Sequence, residues 1–343
     1  MEIVMKFVAV FKRVLSKYLL IWLVLACLLG FFWNDLMGFD KVNPFVLTAN
    51  GTAILISVTM LAVGSLLPYE EVKEVAKRWP KVLGGTCIQY ISMPTIAFCV
   101  AKAFHLEGPY FIGVMMAGCV PGAMASNVLT MTARGNVSYS VGLTTSATLL
   151  SPFVVPATLY LFFHSAKIHI DSADVMRNLL MTVVAPVAIG FACARFWRWW
   201  RFLAENFAEI AANFAIIWII SGVVAKNAEK LVSMSATLII AMLILNIGGY
   251  LCGYFGGMLL RITPTMRRAL TIEIGMQNAG LGVALCMKYF GEMEEASLFC
   301  AAYSFECMAT GIVLAQIFRY ISSRKERLEG AQTDSAKPVE TAE

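Results

Sequence analysis

Long apolar stretches separated by short polar ones occupy nearly the whole chain. Hydropathy places ten of them, at about 18–34, 46–67, 82–104, 109–133, 136–163, 175–195, 206–225, 232–260, 264–288 and 296–320. A helix needs about 20 mostly apolar residues to cross the hydrocarbon of a bilayer, and each stretch approaches that length. The pattern predicts an all-α polytopic membrane protein. Two stretches are interrupted at mid-length by small and polar residues. The fourth contains Gly118-Cys119-Val120-Pro121-Gly122-Ala123-Met124-Ala125-Ser126-Asn127, and the ninth contains Glu273-Ile274-Gly275-Met276-Gln277-Asn278-Ala279-Gly280. Broken backbone survives at membrane depth only where protein buries it or where it lines a cavity. A pair of breaks at corresponding places in the two halves of a chain is the pattern of a carrier's binding site.

Charge orients the spans. With the N-terminus inside, 20 of the 27 Lys and Arg residues fall in cytoplasmic segments, which matches the positive-inside rule. An odd number of spans would scramble that alternation, so both termini are expected in the cytoplasm, with the chain in the inner (cell) membrane. Ten spans divide as five and five. Five is odd, so equivalent halves would lie upside down relative to each other, as an inverted repeat. The breaks fall in the fourth span of each half.

Composition agrees: 59% of residues are hydrophobic, 14% are charged and the mean hydropathy is +0.73. The formal charge of +5 reports orientation and gives no reason to expect nucleic acid. All nine cysteines sit in apolar stretches without CxxC spacing and the three histidines are scattered, so packing is expected of them rather than disulfides or metal. Residues 1–17 read as a basic amphipathic cytoplasmic leader. The alternative is a signal peptide, since Lys6, Lys12, Arg13 and Lys17 precede an apolar run and Val24-Leu25-Ala26-Cys27 resembles a lipoprotein box. Residues 18–321 read as one ten-span domain, and 322–343 as a disordered cytoplasmic tail. The triplets at Asn50 and Asn136 prove nothing about glycosylation, and Asn136 is expected to face the cytoplasm.

A helix break exposes two half-helix ends. One presents free carbonyls suited to a cation, the other free N–H groups suited to an anion. That arrangement suits a carrier coupling Na⁺ to a carboxylate-bearing solute. Glu273 is the most informative residue, because a mid-membrane charge costs about 2.5–3.5 kcal/mol on insertion scales and needs a partner. A bound cation would supply the missing charge, with oxygens from Gln277, Ser126 and Asn127 around it. The alternative is a protonated Glu273 hydrogen-bonded inside the bundle. Ser140, Thr144 and Thr148 recur at i, i+4 and i+8 and share one helix face, a pattern that also lines helix–helix contacts. Gln89 is a lone amide in the third span. Glu306 is a second intramembrane acid, for which coupling and structural pairing stand as equal readings.

Together these residues resemble the bile acid:sodium symporter family. The matches are Pro121-Gly122-x-x-Ala125-Ser126-Asn127, then Ala133-Arg134-Gly135-Asn136-Val137-x-x-Ser140, and Glu273-x-Gly275-x-Gln277-Asn278. The resemblance implies crossed discontinuous helices in spans 4 and 9, a core domain (about 82–163 and 232–320) and a panel domain (about 18–67 and 175–225). It implies two Na⁺ sites. The first would use Ser126, Asn127, Ser140, Thr144 and Glu273. The second would use Gln89, Glu273, Gln277 and the carbonyls of Ile274 and Met276. Met124, Ala125, Asn278 and Cys307 would face the substrate. Two departures stand out: Gly122-Ala123-Met124 where relatives carry a hydroxyl after the proline, and Glu306-Cys307-Met308 where relatives often have Trp-His-Asn. An extra acid near the cavity would oppose an anion unless it is protonated or faces elsewhere.

The expectation is a monomeric or weakly oligomeric secondary transporter. It would take up an organic anion with Na⁺ by alternating access, the anion being bile-acid-like or a small keto or hydroxy acid. A proton-coupled or exporting carrier is the alternative within transport. An intramembrane enzyme is disfavoured by the lack of HExxH, GxSxG or a paired-Asp span. A channel or receptor is the remaining class.

Overall fold

The computed structural model describes residues 2–33, 43–67, 69, 73, 79–232 and 234–335. It is helical, and among the described residues there is no strand beyond one isolated bridge. The helices are α1 (Glu2–Lys17), α2 (Leu19–Phe31), α3 (Ala49–Leu66), α4 (Trp79–Ala103), α5 (Gly108–Cys119), α6 (Ala125–Thr132) and α7 (Val137–Ser165). There follow α8 (Ser172–Phe196), α9 (Arg198–Lys226), α10 (Ala228–Val232), α11 (Ala236–Leu259), α12 (Pro264–Gly275), α13 (Ala279–Tyr289) and α14 (Glu294–Ser335). Single π-turns at Leu180–Val184 and Ala204–Ala208 lie within α8 and α9. Among the described residues, seven helices are long and apolar enough to cross a membrane. The bent pair formed by α1 and α2 adds an eighth candidate, and α5 and α13 are shorter apolar helices.

Local chemistry sets the helix starts. Thr48, Asn136, Asp171, Ser235, Thr263 and Asn278 each accept a hydrogen bond from a backbone N–H in the first turn of the helix they precede. Such a cap is worth about 1 kcal/mol. Arg134 turns the chain between α6 and α7 at φ 53°, Gly135 N–H bonds Thr130 O at 2.8 Å, and Asn136 N–H reaches Thr265 O at 3.0 Å. That last bond ties the α6–α7 turn to the start of α12.

Two groups of helices result. α2, α3, α8 and α9 pack on one another, while α4 to α7 and α11 to α14 pack around the two interruptions. The groups meet where α7 touches α8, and where α3 and α9 touch α13 and α14. Within the first group the α3–α8 contact is very close, since a Cβ on Gly64 would overlap the Val187 carbonyl and one on Gly190 the Leu61 carbonyl. Large apolar side chains such as Ile54, Phe153, Leu161 and Leu251 point outward from the bundle, as a lipid-facing surface requires.

At the termini one expectation gains detail and one changes. The first helix pair bends by 79° at Tyr18, so the leader is a helix docked on α9 by a Lys12–Glu209 ion pair of 3.0 Å and stacking of Phe11 on Phe214. The expected disordered tail is helical as far as Ser335, and residues 336–343 lie outside the described ones. The stretch beyond Ser322 is polar, but Lys325-Glu326-Arg327-Leu328-Glu329 are good helix formers that extend a helix already nucleated.

Candidate functional site

The chain leaves helix between Cys119 and Ala125, and again between Gly275 and Ala279. The two interruptions bond to each other. Ala123 N–H donates to Met276 O at 2.8 Å and Asn278 N–H to Pro121 O at 2.7 Å, an antiparallel bridge centred on Gly122 and Gln277. Each break thereby satisfies backbone groups that hydrocarbon would leave bare. Pro121 stops the helix because it lacks an N–H, yet its carbonyl is used. Asn278 then starts α13, its Oδ1 accepting from Leu281 N–H at 3.1 Å.

Glu273 lies beside this bridge, wholly buried. Ser126 Oγ donates to its Oε2 at 2.5 Å, Ser140 Oγ to the same oxygen at 3.4 Å, and Thr144 Oγ1 to its Oε1 at 2.6 Å. Gly122 passes so close that a Cβ there would overlap Glu273 Oε1. Among the described residues no Lys or Arg pairs with this carboxylate, so hydroxyl dipoles alone face it. A buried carboxylate without a counter-charge is costly.

Two more oxygens in the neighbourhood lack partners. Asn127 Oδ1 and Gln89 Oε1 are shielded from solvent and accept no hydrogen bond among the described residues. Gln89 Nε2 donates to Gln277 Oε1 at 3.5 Å, and Gln277 Nε2 to Ile274 O at 2.6 Å. Orphaned buried acceptors beside a caged carboxylate are a donor set suited to a hard cation. The residues present therefore fit Na⁺.

The expected residues are placed as follows. Ser126, Ser140 and Thr144 surround Glu273, whereas Asn127 makes no bond to the carboxylate and lines a cavity together with Thr144. Gln89, Gln277 and Ile274 form one chain of hydrogen bonds. Met276 O is taken by Ala123 N–H, and no hydrogen bond joins Glu273's carboxylate to this second set among the described residues. Thr148 is buried too, but its carbonyl serves Ser151 and it leaves the carboxylate to Ser140 and Thr144.

A cavity of about 200 Å³ opens beside the first set, lined by Met124, Asn127, Val141, Thr144 and Thr145 together with Val63 and Leu66 of α3 and Leu67 just after it. Met124, expected to face the substrate, lines this cavity. Ala125 opens α6 against the apolar cluster of Ala133, Ile272 and Met276, and Asn278 is occupied in capping α13. Cys307 differs. It is buried against α11, its carbonyl taking the Tyr250 hydroxyl at 3.3 Å, and it lines neither this cavity nor the next. Both carboxylate oxygens of Glu306 are shielded and lack a hydrogen-bond partner among the described residues.

A second cavity, of about 250 Å³, lies at the opposite end of the seam between the two helix groups, lined by Thr48, Thr52, Asn227, Met287 and Glu294 among others. It reaches none of the expected site residues. The α3 residues of the first cavity escaped the sequence reading because nothing distinguishes them from other apolar positions. A buried polar group comprising Asn246, Tyr250, Tyr303 and Thr310 escaped it too, although Asn246 stands alone in an apolar run as Gln89 does.

The profile of the sodium bile acid symporter family matches residues 53–234. The chain belongs to that family. It is 33% identical over 275 residues to the uncharacterized sodium-dependent transporter YocS of Bacillus subtilis (strain 168), spanning 80% of this chain and 83% of the relative. It is 32% identical over 300 residues to the probable sodium/metabolite cotransporter BASS1, chloroplastic, of Arabidopsis thaliana, spanning 87% of this chain and 72% of the relative. A more distant relative is the sodium/bile acid cotransporter 4 of Homo sapiens, 24% identical over 274 residues, or 78% of this chain and 61% of the relative. Family membership makes this a multi-span membrane transporter rather than an enzyme. The profile match ends before α12, whereas the alignment with BASS1, which spans 87% of this chain, includes α12 and the second break.

Proposed function

We propose that this protein is a secondary active carrier that moves a small organic anion with Na⁺ into the cell across the inner membrane, both termini being cytoplasmic. The single observation that carries the reading is the bonding of the two helix breaks to each other beside Glu273, whose carboxylate has hydroxyl donors and, among the described residues, no counter-charge. In this reading α5–α6 and α12–α13 are the crossed discontinuous helices of a ten-span inverted repeat. The helices around them form the moving core, and α2, α3, α8 and α9 form the panel.

Na⁺ supplies the positive charge that the site lacks. Glu273, Ser126, Ser140, Thr144 and Asn127 would hold one ion; Gln89, Gln277 and the Ile274 and Met276 carbonyls, with Glu273, would hold the other. Filling these positions draws the half-helix ends together and favours anion binding at the adjacent cavity, a coupling between sites that works equally in reverse. The cavity beside Asn127 and Thr144 opens on the side that charge distribution assigns to the cytoplasm, which supports an inward-facing arrangement. Its volume of about 200 Å³ leaves room for a small keto or hydroxy acid. The names of the sodium-dependent and sodium/metabolite relatives support Na⁺ coupling.

The test is a thermal-shift titration of purified protein with NaCl against KCl at constant ionic strength, for wild type and Glu273→Gln. Stabilisation specific to Na⁺ in wild type and absent from the variant is the expected result; a response equal in both salts overturns the reading. Carboxylates of increasing size, screened in saturating Na⁺, then sort the substrate. A proton-coupled carrier is the second reading, favoured by the unpartnered carboxylate of Glu306, and it would show uptake set by pH rather than by Na⁺.

A further inference from the structure

The first half of the second broken helix ends at Gly275, whose carbonyl has no partner in its own helix. Two side chains from other helices take it. Asn246 Nδ2, on α11, donates to Gly275 O at 2.8 Å, and the Tyr303 hydroxyl, on α14, donates to the same oxygen at 3.2 Å. Both residues are fully buried.

A second layer orients the first. Thr310 Oγ1 donates to Asn246 Oδ1 at 2.8 Å, and the Tyr250 hydroxyl lies 3.1 Å from Thr310 Oγ1. These bonds fix which end of the Asn246 amide faces Gly275, because a flipped amide would set two carbonyl oxygens against each other. The Tyr250 ring occupies the space where a Cβ on Gly275 would stand, so only glycine lets the chain end pack here. Four polar residues from two helices are thus organised around one carbonyl.

The carbonyls on either side of Gly275 belong to Ile274 and Met276, the backbone oxygens assigned above to the second Na⁺ position. Successive peptide planes are linked through shared Cα atoms, so holding the Gly275 carbonyl toward α11 and α14 limits the rotation of its two neighbours. We propose that Asn246 and Tyr303 are positioning residues for the second cation site. They would fix the broken end of α12 so that the Ile274 and Met276 carbonyls keep their orientation when the ion leaves. This rests on the Na⁺-coupled reading, and the experiment separates the two.

Tyr303→Phe removes one hydroxyl and little volume, and Asn246→Leu removes both functions of the amide. Each is titrated with NaCl against KCl by thermal shift, and Na⁺-driven uptake is measured as a function of Na⁺ and of substrate. The expected result for Tyr303→Phe is a Na⁺ half-saturation raised about three- to tenfold, the size of one lost hydrogen bond. The melting temperature in KCl and the substrate half-saturation in saturating Na⁺ stay near wild type. Asn246→Leu shifts Na⁺ further. If Asn246→Leu fails to accumulate, Tyr303→Phe carries the test alone. Unchanged Na⁺ half-saturation in Tyr303→Phe, or a melting temperature lowered equally in both salts, overturns the proposal and assigns these residues to packing. A wild type without a Na⁺-specific shift overturns the Na⁺ reading itself and this proposal with it, whereas a wild-type shift left unmoved by Tyr303→Phe overturns the positioning role alone.

Discussion

Glu273 and Gly122 illustrate how one residue of each half depends on the other. A carboxylate needs space for its donors, and Gly122 provides it by having no side chain, because even a methyl group would overlap Oε1. Gly122→Ala is expected to displace the carboxylate from Ser126 and Thr144, whose bonds to a charged group are each worth about 1.5–3 kcal/mol. Na⁺-specific stabilisation should fall at least tenfold in affinity, which the same salt titration measures; an unchanged response would show that the carboxylate is not the ion's ligand. At this scale the sequence was informative wherever a polar residue interrupted an apolar span. Glu273, Ser126, Ser140, Thr144, Gln89 and Gln277 stand out against hydrocarbon, and the structure brings them into two adjoining clusters. Val63, Leu66 and Leu67 carry no such signal, because an apolar cavity wall and an apolar helix contact use the same residues. Cys307 was expected to face the substrate by correspondence with other sequences; its Sγ instead bonds the Ser304 carbonyl of its own helix at 3.4 Å, a contact that spacing does not register.

Among the elements, the breaks were readable and their extents were not. Small and polar residues span Gly118–Asn127 in the sequence, but helix resumes at Ala125, because the backbone needs only enough length to exchange bonds with the partner break. The bend at Tyr18 and the helical continuation to Ser335 depend on docking and on propagation from a formed helix, neither of which hydropathy registers. Helix pairing shows a further rule of membrane interiors, where small residues allow close approach. Gly64 and Gly190 bring α3 and α8 into backbone contact. Gly64→Ala is expected to destabilise the protein by about 1–3 kcal/mol through overpacking, seen as a lowered melting temperature in KCl. The additional increment from Na⁺ should persist, since the contact lies in the other helix group from Glu273. Loss of that increment would mean that the two groups respond as one body.

For the whole molecule, the proposed carrier would rearrange at the seam between the groups, and one end of that seam is fastened by charge. Glu294 at the start of α14 meets Lys226 at 3.0 Å and Lys230 at 3.2 Å, and Glu295 meets Lys230 at 3.0 Å. Nearby, Lys288 and Tyr289 of α13 reach Asn178 and Asp174 of α8, each at 2.8 Å. Hydrogen bonds from Lys230 to Glu295 and then Glu294 hold its ammonium above the usual lysine range. A raised value means that this contribution is complete below the ordinary lysine value and fades only as pH rises through the folded one, so it persists across neutral pH. Salt screens exposed pairs of this kind. Glu294→Gln is expected to speed labelling of a cysteine placed at Thr52, in the cavity beside these pairs, roughly two- to fivefold with a membrane-impermeant maleimide. Raised ionic strength should shrink the difference, and an unchanged rate would show that the pairs do not fasten the seam. The expected ten spans came from hydropathy and agreed with charge alternation, and the proposed upside-down relation of the halves rests on the matching places of the two breaks, since the halves share little direct similarity.

The bonds between Pro121–Ala123 and Met276–Asn278 join positions more than 150 residues apart. A ribosome feeding this chain into a membrane therefore delivers the first break long before its partner exists. Until α12 and α13 emerge, the polar backbone after Cys119 has to be sheltered by the insertion machinery or left at the aqueous edge. Nascent chains stopped before residue 264 should be recognised by membrane quality control and degraded, while the same two pieces made together could still find each other. The assembled fold is thus committed late in synthesis, at the moment its second half arrives.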